Sequence, residues 1–311
     1  VSDMQASAIL HVDYSGNQTL LYDAASTNGL LYWPDGMAYD DDGNLYVANL
    51  GNDTIIKIDP QGQASLFSDS DLIAEPGGLA IDGAGNLFVA NYAGNSIARF
   101  RLDTGVGEWF TGGDSTLMAA PNDLKLSRRG GMIASGRNGR VTRIDALGHM
   151  TILFEDPGLG ELDGVSVPDD ADLCTGRYTT YGAGLAGSGG IEPQLRAIFS
   201  PCPGQLVGIE LRDFKGGAQA VLFVGTSALP MGAATLKGAP LLVDPAGALF
   251  WPIPLFLPGA GQGAGAGDLT MQFEVPQNPG LAGITLYHQV FAADSAALNG
   301  VSASNGLKEV F

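Results

Sequence analysis

The side chains of this chain that could do chemistry are mostly oxygen donors. Asp35, Asn122 and Asp163 stand at equivalent places, in Pro34-Asp35-Gly36, Pro121-Asn122-Asp123 and Leu162-Asp163-Gly164, each opening a short apolar run. Hard oxygen ligands of this kind suit Ca2+ or Mg2+, and the same residues also form turns by bonding their own backbone. The run Asp40-Asp41-Asp42-Gly43-Asn44 fails the EF-hand template, because its sixth position is Leu45 and its twelfth is Gly51. It reads as a solvated turn whose charge gathers a cation weakly. His11, His149 and His288 are scattered along the chain, and general acid–base work requires a histidine aimed into a pocket; all three are expected at the surface or half-buried. No G-x-S-x-G, Walker-type or H-E-x-x-H string is present. The two cysteines, Cys174 and Cys202, form a disulfide candidate, and neither sits in a zinc-type spacing. Asn17 and Asn52 open glycan acceptor triplets, Asn17-Gln18-Thr19 and Asn52-Asp53-Thr54, both on expected turns.

What must position these groups is an internal repeat. Pro34 to Asp59 reads PDGMAYDDDGNLYVANLGNDTIIKID, Pro76 to Asp103 reads PGGLAIDGAGNLFVANYAGNSIARFRLD, and Pro121 to Asp145 reads PNDLKLSRRGGMIASGRNGRVTRID. The starts are 42 and 45 residues apart, and a weaker copy, LDGVSVPDDADLCTGRY, opens 41 residues further on at Leu162. Short strands repeated with a period of roughly 40–45 residues are the signature of propeller blades. Met37-Ala38-Tyr39 and Leu79-Ala80-Ile81 read as innermost strands. Leu45 to Ala48 and Leu87 to Ala90 read as second strands, Ile55 to Ile58 and Ile97 to Phe100 as third, and Ala64 to Phe67 and Gly107 to Phe110 as fourth. The N-terminal Ile9 to Tyr22 aligns with the outer two strands of a blade and the copy at Leu162 with the inner two. About four blades' worth of strands is therefore present, either closing into a small ring or leaving an open arc with bare edges.

The repeated strings P-x-G-[LM]-A and D-x-x-G-N-L-[YF]-V-A-N resemble those of NHL-type propellers, and more loosely those of gluconolactonase-like and streptogramin-lyase-like propellers, over residues 9–180. The gluconolactonase resemblance implies one divalent cation on the propeller axis, for which Asp35, Asn122 and Asp163 are the candidate ligands. The second repeat offers only Pro76-Gly77-Gly78 there. The N-terminal Glu and the S-N-G ligand loop of those enzymes have no counterpart in this half, and Ser304-Asn305-Gly306 lies elsewhere. The lyase resemblance implies paired axial histidines, whereas His11 and His149 align with outer strands.

After residue 180 the repeat ends. Gly182 to Gly190 (GAGLAGSGG) reads as a flexible linker, over 181–193, and residues 194–311 as a β-sandwich built from strand-length apolar runs between Gly, Pro and Asn. This last part resembles a C-terminal module of secreted bacterial proteins. The run Gly259 to Gly267 (GAGQGAGAG) reads as a mobile hairpin loop. The whole chain has 311 residues with 15 Lys+Arg against 33 Asp+Glu, a net charge of −18. Such a chain is repelled by phosphate backbones and anionic lipid, which excludes nucleic acid as a partner. No apolar run approaches the roughly 18 residues of a spanning helix, so no membrane span is expected.

The expectation is thus an all-β protein: a β-propeller of about four blades, closed or incomplete, over 1–180, and a β-sandwich. With its ligand set incomplete and its edges unsatisfied, it is read as a noncatalytic secreted protein of extracellular matrix, adhesion or surface assembly, its leader removed before Val1. It would polymerise as a homo-oligomer through strand edges, with glycan as a further partner and no cofactor beyond Ca2+. The alternative is a metal-dependent gluconolactonase-like or lyase-like enzyme, and the second alternative a monomeric glycan- or peptide-binding propeller.

Overall fold

The computed structural model describes residues 1–127, 131–137, 139–166, 176–199, 201–204, 206–259 and 263–311. The chain forms two compact units, Val1–Asp170 and Ala171–Phe311. Both are built of antiparallel sheets, and the helical segments among the described residues are short 3-10 turns. Among those residues no helix is long and apolar enough to cross a membrane.

Among the described residues the first unit holds four small sheets in chain order. An N-terminal sheet consists of β1 (Ser2–Asp3), β2 (Ala8–Val12) and β3 (Gln18–Asp23). Three four-stranded blades follow: β4 (Pro34–Tyr39), β5 (Leu45–Asn49), β6 (Thr54–Ile58) and β7 (Ala64–Ser68); β8 (Pro76–Ile81), β9 (Asn86–Asn91), β10 (Ser96–Arg101) and β11 (Gly107–Gly112); β12 (Asp123–Leu126), β13 (Met132–Gly136), β14 (Arg140–Ile144) and β15 (Met150–Glu155). Each is a meander, as the repeat predicts.

The period-2 geometry of a strand explains why Leu45 to Ala48 of β5 are apolar without interruption. Leu45 and Val47 of β5 pack with Ile9, Leu31, Ile56 and Ile58 toward the N-terminal sheet. Tyr46 and Ala48, on the other face, pack with Leu79, Leu87, Val89 and Phe100 toward the next blade. The core therefore lies between sheets, and β5 serves two of them. A register shift between the third and fourth strands recurs at Ile9/Leu10, Ile55/Ile56, Ile97/Ala98 and Val141/Thr142. Bulges of this kind strengthen the local twist.

The repeated D-x-x-G string is a self-capped turn. Asp40 Oδ1 accepts from the backbone N–H of Asp42 (3.0 Å) and of Asn44 (2.8 Å), and Oδ2 from Asn44 Nδ2 (2.7 Å). Asp82 with Ala84 and Asn86, and Asp13 with Ser15 and Asn17, repeat this pattern. The intervening Gly43 and Gly85 take φ of 82° and 77°, the left-handed region that glycine enters without strain. The acidic run at 40–44 is thus a turn, and Asp40 spends both oxygens on it.

The copy at Leu162 departs from expectation. Residues 162–166 enter no sheet, because the Leu162 N–H bonds Gly136 O (3.1 Å) and the Val165 N–H bonds Asp123 Oδ2 (3.1 Å). The second-strand place in the N-terminal sheet is taken by β1, which pairs with β2. Among the described residues the ring is therefore not closed by pairing of this copy with the N-terminal strands.

In the second unit, β16 (Arg177–Tyr181), β17 (Gln194–Ile198), β18 (Leu206–Arg212), β19 (Gln219–Gly225), β20 (Thr235–Leu236), β21 (Ala239–Pro240), β22 (Phe250–Phe256), β23 (Leu269–Glu274), β24 (Thr285–Ala293), β25 (Val301–Ala303) and β26 (Gly306–Val310) form a larger sheet, ordered β16-β26-β24-β19-β22 with β25 on β24, a three-stranded sheet β17-β18-β23, and the small hairpin β20-β21. Residues 177–180, assigned to the propeller from the sequence, and Tyr181, assigned to the linker, belong here, since β16 pairs with β26 along its whole length. The glycine-rich segment after it is packed. Leu185 exchanges backbone hydrogen bonds with Ala303 (2.9 and 3.1 Å), the Ser188 N–H donates to Asp294 Oδ2 (2.5 Å), and a Cβ on Gly184 would collide with Ala303 O. Its glycines serve close backbone approach. The edge strand β22 places Pro252 and Pro254 opposite Phe223 and Val221; prolines on an edge strand remove N–H donors and blunt further pairing.

Candidate functional site

Each blade begins at a corner that recurs three times. The residues before the entry prolines, Trp33, Glu75 and Ala120, have φ of 49°, 47° and 41°. Their backbone N–H groups donate to Ser7 Oγ (3.3 Å), Asp53 Oδ1 (2.6 Å) and Asn95 Oδ1 (2.7 Å), side chains from a turn of the preceding sheet. Those three turn residues are left-handed as well, at 46°, 54° and 47°. Each blade is thus hung on its predecessor, and the residue two places on falls at the end of an innermost strand: Asp35, Gly77 and Asn122.

The innermost strands approach closely there because glycine lines them. A Cβ on Gly77 would stand 2.5 Å from Asn122 O, and one on Gly78 would stand 2.5 Å from Leu124 N. The Gly78 N–H donates to Asn122 O at 2.7 Å. The absence of a side-chain donor in the second repeat, noted from the sequence, has this steric cause.

Around this packed centre the acidic groups gather. Asn122 Nδ2 donates to Asp163 Oδ1 at 3.3 Å. The pKa of Asp35 is raised, first by burial and then by the charges of Asp123 and Asp163; like charges and desolvation both oppose ionisation. Asp123 accepts from Leu124 N (2.8 Å) and Lys125 Nζ (2.8 Å) on Oδ1 and from Val165 N on Oδ2 (3.1 Å). The structure therefore brings Asn122 and Asp163 into contact and Asp35 into their field. Asp123 is a member the sequence reading missed, although it follows Asn122 directly in the entry string.

Oxygen donors of this type have the chemistry for Ca2+ or Mg2+. Among the described residues no three His, Cys, Asp or Glu side chains are placed to hold a metal ion. The Asp35 carboxyl with its raised pKa, and the Asn122 amide held by Asp163, also have the chemistry for acid–base work.

The other candidates stand elsewhere. His11 and His149 are exposed, and His149 Nδ1 lies 3.2 Å from Asp145 Oδ2 within its own turn. His288 is buried in the second unit, its Nε2 2.8 Å from Glu309 Oε2, while Glu309 Oε1 accepts from the Tyr178 hydroxyl at 2.8 Å. Asn305 pins Leu195 through both backbone groups (2.7 and 3.0 Å), so Ser304-Asn305-Gly306 serves packing. Cys202 is buried and disulfide-bonded; Cys174 lies outside the described residues. Asn17 and Asn52 are exposed, with Asn17 Nδ2 donating to Asp13 (2.8 Å) and Asn52 Oδ1 accepting from Thr54 Oγ1 (2.8 Å).

Residues 1–66 match the family model described as the SMP-30/gluconolactonase/LRE-like region. Among curated proteins none matches. Of solved structures, a catalytically inactive virginiamycin B lyase from Staphylococcus aureus, with quinupristin, is similar at 13% identity and a TM-score of 0.41, covering 99% of this chain and 89% of that one. A gluconolactonase from Xanthomonas campestris is similar at 19% identity and a TM-score of 0.41, covering 50% of this chain and 57% of that one. The nidogen/laminin complex gives 16% identity and a TM-score of 0.41, covering 49% of this chain and 59% of that one. The family match overturns the noncatalytic matrix or assembly role expected from the sequence. The matched segment contains the first complete repeat entry with Asp35, and its family is named for enzymes.

Proposed function

We propose that the protein is a lactone-opening hydrolase of the gluconolactonase-like kind, with its reaction centre at the blade entries of the first unit. The observation that carries this reading is Asp35, held partly buried between the charges of Asp123 and Asp163 so that its pKa rises. A carboxyl moved toward the working pH is suited to general-base and general-acid work. In this role Asp35 takes a proton from water, whose oxygen attacks the lactone carbonyl carbon. One Asn122 amide hydrogen is engaged by Asp163, and the other is free to donate to the developing oxyanion. When the ring C–O bond breaks, Asp35 returns the proton to the departing alkoxide.

The likeness of residues 1–66 to the lactonase-type family supports the reaction class. The finer kinship of the blades to NHL repeats rests on the recurring P-x-G and D-x-x-G-N strings. An extracellular location, with sugars on Asn17 or Asn52, belongs to the same proposal. The test is proton release from glucono-δ-lactone in a pH-stat, with spontaneous hydrolysis subtracted. Asp35→Asn should lower the enzymatic rate about 10²–10⁴-fold, and Asn122→Ala about 10²-fold; unchanged rates in both would end the proposal.

A further inference from the structure

Directly before the blade entry that carries Asp35 stands a pair of aromatic rings that the reaction does not yet use. Tyr32 and Trp33 are stacked, with ring centroids 5.9 Å apart and planes within 8°. They are 46% and 49% exposed. Stacked rings of this size ordinarily face the core, where their area is removed from water, yet this pair leaves half of its surface open. Their backbone is fixed: the Tyr32 N–H donates to Asn49 Oδ1 (3.1 Å), the Trp33 N–H to Ser7 Oγ (3.3 Å), and the Leu50 N–H to Trp33 O (3.0 Å). Gly51 leaves room for them, since a Cβ there would stand 2.6 Å from the Tyr32 ring. The equivalent corner positions of the next two blades carry Glu75 and Ala120, so the aromatic pair is a choice of side chain at one corner and no requirement of the corner itself. Trp33 precedes Asp35 by two residues, which keeps their Cα atoms within about 7 Å.

We propose that Tyr32 and Trp33 form the stacking platform for the substrate ring, and that the ring they accept is uncharged: a neutral sugar-type lactone in preference to its phosphorylated or carboxylated counterpart. This rests on the lactonase reading above. A flat, pre-ordered aromatic surface binds the apolar face of a ring at little cost in side-chain entropy. The charge preference follows from the neighbours. Asp35, two residues after Trp33, and the charges of Asp123 and Asp163 that act on it set a negative field, Lys125 is paired with Asp123 at 2.8 Å, and Arg137 lies 3.8 Å from Glu161 with its guanidinium over the Tyr92 ring. An anionic ring would meet repulsion there.

The test has a catalytic and a non-catalytic arm. In a Trp109→Phe/Trp251→Phe background the fluorescence reports Trp33 alone, and titration with a neutral sugar lactam, which resists hydrolysis, should quench it saturably. The 6-phosphorylated lactam should bind at least about tenfold more weakly. In the kinetic arm, Trp33→Ala should raise KM for the neutral lactone about tenfold with kcat nearly unchanged, and Trp33→Phe should restore most of the loss. Hydrolysis with no quench and no KM change would overturn the platform and leave the lactonase reading standing. Saturable quench without hydrolysis would support the platform and overturn the reaction. Equal binding of the phosphorylated ring would overturn the charge preference.

Discussion

Asn91 offers the sharpest test of how the blades are held. It is fully buried at the end of β9. Its Oδ1 accepts the Ala74 N–H at 3.0 Å, and its Nδ2 donates to Leu72 O at 2.8 Å and to Ser96 Oγ at 3.3 Å. One side chain thereby ties the incoming connection of the blade to its second strand. Asn91→Ala leaves the Ala74 N–H and the Leu72 carbonyl without these partners, at about 1–3 kcal/mol for each orphaned group. Both backbone groups sit in half-buried residues, so the loss should be about 2–4 kcal/mol, a large share of the ~5–15 kcal/mol that holds a domain together. Asn91→Asp should be no milder, because a carboxylate keeps the acceptor and loses both donors. Urea unfolding followed by Trp109 fluorescence, with Trp33 and Trp251 replaced by Phe, reads the first unit. A loss below about 0.5 kcal/mol, the ordinary range for a change that breaks no such feature, would refute the reasoning.

Further outcomes follow from the same contacts. Gly78→Ala should cost about 1–3 kcal/mol by overpacking, since its Cβ would meet Leu124 N at 2.5 Å; the same unfolding assay reads it. Glu309→Leu should cost about 3–5 kcal/mol, because it strands the Tyr178 hydroxyl and His288, both 2.8 Å from the carboxylate; Trp251 fluorescence during unfolding of the second unit reports it. Asp35 has its folded pKa raised above the unfolded value near 3.8. Its contribution to stability is therefore fully present below pH 3.8 and is lost as pH rises through the folded value. Asp35→Asn, neutral at every pH, should match the wild type in acid and become the more stable protein toward neutrality, as paired unfolding curves from pH 3 to 7 would show.

The blades were legible because their signals are local. The D-x-x-G-N turn is closed by its own Asp, as at Asp40 and Asp82, and β5 is apolar on both faces because each face packs toward a different neighbouring sheet. Of the proposed site, Asp35, Asn122 and Asp163 were picked out by their place at the blade entries, whereas the link from Asp123 to the Val165 N–H, 42 residues away, is a contact no spacing rule contains. Glycine misled the reading at 182–190, where composition cannot distinguish freedom from close packing; Gly184 against Ala303 O and Ser188 on Asp294 decide for packing. The boundary at 180 failed for a similar reason. Arg177–Tyr181 is a strand in either half, and only its pairing with β26 assigns it. The inference of function went astray because an incomplete metal-ligand set was taken as absence of catalysis, although a half-buried carboxyl among like charges has acid–base chemistry of its own.

The central claim is that Asp35 is kept against its own charge for the sake of a reaction. One paired measurement on Asp35→Asn tests it most directly: lactone hydrolysis in the pH-stat and unfolding free energy at pH 7, on the same preparation. The account predicts a protein that is more stable and about 10²–10⁴-fold slower. A variant that hydrolyses lactone at the wild-type rate, or that is slower only because it has lost stability, would contradict it.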